Sequence, residues 1–415
     1  MHQNRASTIG SIMIALSDII QAKRRLSPVV NATPFSLAPI LSSMVGADIY
    51  LKKENLQLTG AYKIRGAYNK IASLSDDERA RGVIAASAGN HAQGVAYSAK
   101  TFGIRAVIVM PEATPLLKVT GTKELGAEVI LHGDNYDEAY AHAGKVAAEE
   151  GMSFIHPFED DAVIAGQGTI ALEMLDSVND LDVVVVPIGG GGLISGVGSA
   201  IKQLDPKIRV IGVTAKGAPA MFESFQAKSV INSKSVRSIA DGIAVRDTSE
   251  KNLGYILECV DEVVQVDDEE IATAILFLLE RQKLVVEGGG AAGVAAIMHH
   301  KFDFKPGMKI GAILSGGNID VQTLSVIIEK GLIKSARKMI IIVTLVDKPG
   351  ALMRLTDILR NANANIIKID YDRTSTTLSY GDANITITLE TKGQSHQDEV
   401  RQALLNGGYQ FGETF

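Results

Sequence analysis

The chain has a single cysteine, Cys259, in 415 residues. No internal disulfide can staple it, and this usage fits the reducing cytoplasm. Metal-ligand spacing is missing as well: there is no C-x-x-C and no H-x-x-x-H, and the neighbours His299 and His300 point to different sides of a helix. No long basic run occurs and the net charge of −6 is mild, which excludes a nucleic-acid surface from the expected partners. The apolar run from Ile12 to Ile20 is interrupted by Ser17 and Asp18, and no small-residue cleavage site follows it. It reads as an amphipathic helix, not as a signal peptide or a membrane span. A G-x-S-x-G turn, which would carry a hydrolase nucleophile, is absent. So are internal repeats and low-complexity segments.

Hydrophobic residues make up 46% and charged residues 21% of the chain, an ordinary globular balance at a length that suits two or three domains. Forty glycines stand against eleven prolines, and many are clustered, as where backbone approaches a ligand or another element. After a polar tail at residues 1–12, strands and helices alternate. Strands are expected at 47–53, 82–86, 105–110, 128–132 and 153–156, with helices at 90–102, 116–125 and 136–150 between them. The pattern resumes past Gln167 with a helix to Leu175, a buried strand at 183–186, a helix to Ala200 and a strand at 210–214. A helix at 269–281, another at 291–300 and a strand at 309–314 complete it, whereas 230–245 fits no period. Strands apolar on both faces argue for a parallel sheet covered by helices. The basic, polar stretch Lys330–Lys338 marks a boundary. Beyond it the order is βαββαβ, the split βαβ arrangement of ferredoxin-like folds, suited to sensing or dimerisation.

Four segments, with Glu287 beside them, carry chemistry. In Gln57–Lys70, Lys63 lies among small, aromatic and apolar residues with Gly60 and Gly66 on either side. That setting suits an amine that must lose its proton and form an imine with a carbonyl cofactor, or else a partly exposed lysine that starts a helix. Gly189, Gly190, Gly191 and Gly192 follow a buried strand and, with Leu193, open a helix. Successive N–H groups then converge on one point, an anion site for which phosphate is the expected occupant. Ile194, Ser195 and Ile201 fall where a dinucleotide fingerprint needs its third glycine, and no G-x-x-x-x-G-K-[ST] exists, so the phosphate belongs to another kind of cofactor. Ser87, Asn90 and His91 sit between a strand and a helix and could bind a carboxylate, or merely cap that helix. Ser315 ends the last core strand, at the edge where open α/β sheets bind ligands, and is a cofactor partner or a plain turn. Glu287, before Gly288–Gly290, faces the site or caps a helix.

Together these segments resemble the threonine dehydratase (threonine ammonia-lyase) family, of the tryptophan synthase β-like fold. Lys52 to Ala67 is similar to that family's cofactor-lysine motif, Ser87 to Gln93 to its substrate-carboxylate loop, Gly189 to Leu193 to its phosphate loop, and Ser315 to its serine at the pyridine nitrogen. The resemblance spans about residues 30 to 330. It implies a two-lobed parallel or mixed α/β core, with residues 13–64 and 158–334 as a large lobe and 65–157 as a small mobile lobe. Residues 335–415, with Asp347-Lys348-Pro349-Gly350, resemble an ACT regulatory domain, which implies an amino-acid effector and a homo-oligomer, dimer or tetramer.

The implied cofactor is pyridoxal 5′-phosphate, with Lys63 as its Schiff-base residue and base, Asn90 at the ring hydroxyl, Glu287 near the ring, and Ser87, Asn90 and His91 on the substrate carboxylate. The implied reaction converts L-threonine to 2-oxobutanoate and ammonia, and L-serine to pyruvate, within isoleucine biosynthesis or threonine catabolism. Racemases of this fold resemble a loop with a second serine where this chain has Ala88, so the far face of Cα lacks an acid. Thr214-Ala215-Lys216 stand where some relatives place an acidic cation ligand, so no metal is expected. The alternatives are a serine or hydroxyaspartate dehydratase or racemase, a β-replacement synthase, or a silent amino-acid-binding regulator, the last disfavoured by the intact Lys63.

Overall fold

The computed structural model describes residues 13–413, so the tail expected at 1–12 lies outside the described residues. The chain divides after Asp320 into two compact units. The break falls ahead of helix Val321–Lys334, which goes with the C-terminal unit, whereas the sequence placed it in the large lobe.

Among the described residues the N-terminal unit holds ten strands: β1 (Phe35–Leu37), β2 (Asp48–Lys52), β3 (Val83–Ala86), β4 (Ala106–Met110), β5 (Glu128–Leu131), β6 (Ser153–Phe154), β7 (Val183–Pro187), β8 (Arg209–Ala215), β9 (Glu262–Val266) and β10 (Lys309–Ile313). They form two sheets. The larger has the order β1-β2-β10-β7-β8-β9, and only the edge pair β1–β2 is antiparallel. The smaller, β5-β4-β3-β6, is parallel throughout. Helices cover both faces, so β4 and β7 are buried along their whole lengths, as the unbroken apolar runs require.

This topology decides where the chemistry sits. In the large sheet β10 lies between β2 and β7, with Ile313 opposite Lys52 and Gly311 opposite Val184. The Lys63 segment, the Ser315 turn and the glycine tetrad therefore leave the carboxyl ends of three adjacent parallel strands. The Ser87 loop leaves the carboxyl end of β3 in the smaller sheet. Ligands of open α/β sheets bind at such edges.

Several elements differ from the sequence reading. The helix expected past Gln167 begins at Asp161, where Asp160 accepts from the N–H groups of Ala162 and Val163. Its residues Val163–Leu172 are buried all round, so no amphipathic period betrays its start. Helix Asp268–Phe277 passes into a π turn, Leu278–Gln282. Helices Pro39–Val45, Asp76–Arg81, Ala220–Ala227 and Glu250–Cys259 and strand β9 were not expected.

The C-terminal unit has β11 (Lys338–Val346), β12 (Asn365–Asp372), β13 (Asp382–Glu390) and β14 (Phe411–Glu413) in the order β12-β13-β11-β14, all antiparallel. Helices Ala351–Asn361 and Gln394–Asn406 complete the ferredoxin-like βαββαβ pattern. One sheet face packs on them through Ile341, Val343, Ile385, Ile387, Leu355 and Leu404. Among the described residues no helix is long and apolar enough to cross a membrane.

Candidate active site

Lys63 is the first residue of helix Lys63–Ser73. The chain reaches it through Gly60, whose φ of +70° only glycine adopts without strain and whose missing side chain leaves room for Asn318. Main-chain bonds then join this segment to the Ser315 turn: Tyr62 N–H donates to Ser315 O (3.0 Å) and Gly317 N–H to Gly60 O (2.8 Å). Two motifs far apart in sequence are thereby fixed side by side.

The helix is anchored two residues further on. Arg65 is fully buried and donates from Nε and Nη2 to the buried Glu54 at 2.8 Å, and from Nη1 and Nη2 to Glu173 at 2.6 and 2.9 Å. Lys52 joins the cluster by pairing with Glu173 and donating to Thr33 O. Two cations and two carboxylates leave little net charge, and the bidentate geometry fixes the first helical turn.

Lys63 itself is half-buried, and its Nζ donates to Pro157 O at 2.9 Å. Burial pulls its pKa down from 10.5 to about 8, against the opposing pull of the Glu287 carboxylate. A useful fraction of the amine is then neutral near physiological pH, as a nucleophile or base must be.

Glu287 stands at the N-cap of helix Gly288–Met298 but makes no side-chain capping bond. It faces the site instead. Asn90 Nδ2 donates to its Oε1 at 2.7 Å, and its carboxylate lies where a Cβ on Gly242 or Gly316 would point. Burial pushes its pKa up from 4.5 to about 7, although the Asn90 hydrogen bond lowers it. Asn90 is in turn gripped by Asn318, whose Nδ2 donates to Asn90 Oδ1 and to Thr59 O, each at 2.8 Å.

The glycine tetrad ends β7. Gly191 has a φ of +92°, and helix Gly192–Leu204 follows it directly. Gly190–Leu193 are buried, yet among the described residues no carbonyl or side chain accepts from the N–H groups of Gly189–Leu193. A buried helix N-terminus with open donors is a site for an anion. The packing reading has its place too, because the Phe158 ring lies 2.5 Å from where a Gly190 Cβ would stand.

In the Ser87 loop the helix N-cap is Gly89, without a side-chain bond, so neither Ser87 nor Asn90 is the cap. Ser87 Oγ accepts from Gly89 N–H at 3.2 Å, and its own proton is free to point elsewhere. His91 cannot serve a carboxylate through its ring. Its Nε2 lies 2.8 Å from Ile155 O and must carry the hydrogen, while Nδ1 is buried without a partner. Burial, with the Lys63 charge nearby, lowers its pKa to about 3, so the ring is neutral and its one N–H is spent. What His91 can offer is its main-chain N–H, in the first turn of helix Asn90–Phe102.

Some residues here escaped the sequence reading. Asn318 closes the Ser-Gly-Gly-Asn turn and could have been singled out with Ser315. Phe158 and Asn252 belong to no recognisable motif. The turn Asp241–Ile243, from the stretch that fits no period, packs against Gly189 and Gly289. Beside the loop a cavity of about 650 Å³ opens between Tyr136, Tyr140 and Phe158 on one side and Val245, Thr248 and Ser249 on the other. Pockets of that size take small metabolites. Open buried N–H groups, an amine with a lowered pKa and a hydroxyl just past the end of β10 are the groups that a phosphate-bearing aldehyde with a ring nitrogen requires.

Comparison with known proteins agrees. A family model described as "Pyridoxal-phosphate dependent enzyme" matches residues 26–316. The L-threonine ammonia-lyase of Thermotoga maritima is 49% identical over 398 residues, covering 96% of this chain and 99% of that protein. The processed form of threonine deaminase isoform 2 from Solanum lycopersicum superposes with a TM-score of 0.73 at 37% identity, over 76% of this chain and 86% of that one. Maize serine racemase does so with a TM-score of 0.72 at 37% identity, over 77% of this chain and 98% of its own.

Proposed function

As the chain belongs to the pyridoxal-phosphate dependent enzyme family, we propose that it is a lyase converting L-threonine to 2-oxobutanoate and ammonia, and L-serine more slowly to pyruvate and ammonia. The observation that carries this reading is the Lys63 amine, held at a pKa of about 8 and bonded to the Pro157 carbonyl, next to Phe158, which packs against a buried run of N–H groups that have no acceptor among the described residues.

The residues divide the work. The N–H groups of Gly189–Leu193 would hold the phosphate, the Ser315 hydroxyl the ring nitrogen, and the second hydrogen of Asn90 Nδ2 the ring hydroxyl. Bound pyridoxal phosphate supplies an electron-withdrawing ring that acidifies the substrate Cα–H. Lys63 Nζ, neutral in a useful fraction, takes that proton. Main-chain N–H groups of the first turn after Gly89, with the Ser87 hydroxyl, hold the substrate carboxylate at a helix N-terminus. Glu287 Oε1 is occupied by Asn90, so when the acid is neutral its proton sits on Oε2. Ser315 is uncharged and provides no counter-charge for a protonated ring nitrogen, which disfavours a long-lived carbanion and favours prompt loss of the β-hydroxyl. Ala88 stands where the racemases of this fold have a second serine, which favours elimination over racemisation.

The C-terminal unit acts, on this reading, as an ACT-like regulatory domain for a small amino acid in a cytoplasmic homo-oligomer. Strand β12 supports it: an edge strand that leaves Ile367, Ile369 and Tyr371 exposed and able to pair with a second copy. The test is a keto-acid assay over L-threonine, L-serine, D-serine and hydroxyaspartate, with Lys63→Ala as control. Turnover highest on L-threonine and abolished in the variant is expected. Serine racemisation without keto-acid release would overturn it.

A further inference from the structure

Helix Glu250–Cys259 carries no chemical motif, yet it delivers one buried amide to the glycine loop. Asn252 is fully buried, and its Nδ2 donates to Gly190 O at 2.6 Å and to Phe158 O at 2.9 Å. Two carbonyls need two donors, which fixes the orientation of the carboxamide and spends both its hydrogens.

The consequence follows from peptide geometry. In a planar trans peptide the carbonyl of one residue and the N–H of the next point in opposite directions. Pinning Gly190 O to Asn252 therefore turns the Gly191 N–H away from that helix. The loop cannot fix this by itself, since a Gly-Gly peptide meets little steric resistance to flipping and Gly191 already sits at a φ of +92°. The same amide ties the loop to Phe158, the neighbour of Pro157, whose carbonyl accepts from Lys63 Nζ. One side chain thus links the anion end of the cleft to its amine end.

We propose that Asn252 is a positioning residue that presets the orientation of the phosphate-binding N–H groups. This rests on the cofactor reading above but assigns a role to a residue outside the motifs. Asn252→Asp keeps the shape while setting an acceptor against two carbonyls, and Asn252→Ala removes the donor outright.

The experiment compares binding of pyridoxal 5′-phosphate and of pyridoxal, which lacks the phosphate, by titrating the cofactor-free full-length chain and both variants. Both variants should lose affinity for the phosphorylated compound by about tenfold to a hundredfold, the range for two lost buried hydrogen bonds. Their affinity for pyridoxal should stay within about twofold, because a role confined to the phosphate cradle leaves capture by Lys63 intact. Equal losses for both compounds would mean a merely structural residue and overturn the proposal, as would no loss for either. A wild-type chain that binds neither compound would refute the cofactor reading itself, a result distinct from both.

Discussion

Replacing Glu287 with glutamine should stabilise the cofactor-free protein, and only above acidic pH. In the unfolded chain this carboxyl ionises near 4.5, and burial in the folded site raises that to about 7. Folding therefore favours the protonated acid. Between pH 4.5 and 7 the unfolded chain ionises while the folded one does not, so each step upward in pH favours unfolding. Above pH 7 both states are ionised and the penalty is constant. A displacement of this size corresponds to about 3 kcal/mol, and screening at a half-buried group reduces the expectation to about 2 kcal/mol. Glutamine keeps the oxygen that accepts from Asn90 Nδ2 but carries no charge. Urea midpoints of wild type and Glu287→Gln, followed from pH 4.5 to 9, should nearly coincide at the acid end, diverge in favour of the variant through pH 7 and then run parallel. A constant gap, or one that widens toward acid, would mean that the Glu287 carboxyl is not destabilised by burial.

Two further outcomes follow from the same site. Uptake of pyridoxal phosphate by the cofactor-free protein should speed up with rising pH about a midpoint near 8, the depressed pKa of Lys63; stopped-flow rates still climbing past pH 10 would contradict that depression. Arg65→Leu should destabilise the N-terminal unit by about 3 kcal/mol, because it strips the buried Glu54 of its bidentate partner and leaves it only Lys52 at 3.8 Å and the Thr33 hydroxyl, whereas Arg65→Leu combined with Glu54→Gln should recover part of the loss in thermal unfolding.

Much of the fold was legible because its punctuation is local. The sequence marks both ends of helices Asn90–Phe102 and Tyr136–Glu150, and each stops at a glycine in the left-handed conformation, Gly103 and Gly151. Helix Asp161–Ser177 starts ahead of where the sequence suggests because burial on all sides erases its period, and β1 is too short to alternate. The site divides in the same way. Lys63, Ser315 and the tetrad announce themselves through glycine clusters, since close approach of backbone leaves a mark on composition. Asn252 and the Asp241–Ile243 turn leave none: their importance comes from contacts made across the chain, and nothing in their own neighbourhood encodes the partner. His91 is the opposite case, a residue type that suggests an anion ligand and that the Ile155 carbonyl has taken.

Lys63 is the proposed point of cofactor attachment, and borohydride reduction of the protein loaded with pyridoxal phosphate, followed by peptide mapping by mass spectrometry, tests this directly. One pyridoxyl group per chain, on Lys63, is expected. A label on another lysine, or none after loading, would contradict it.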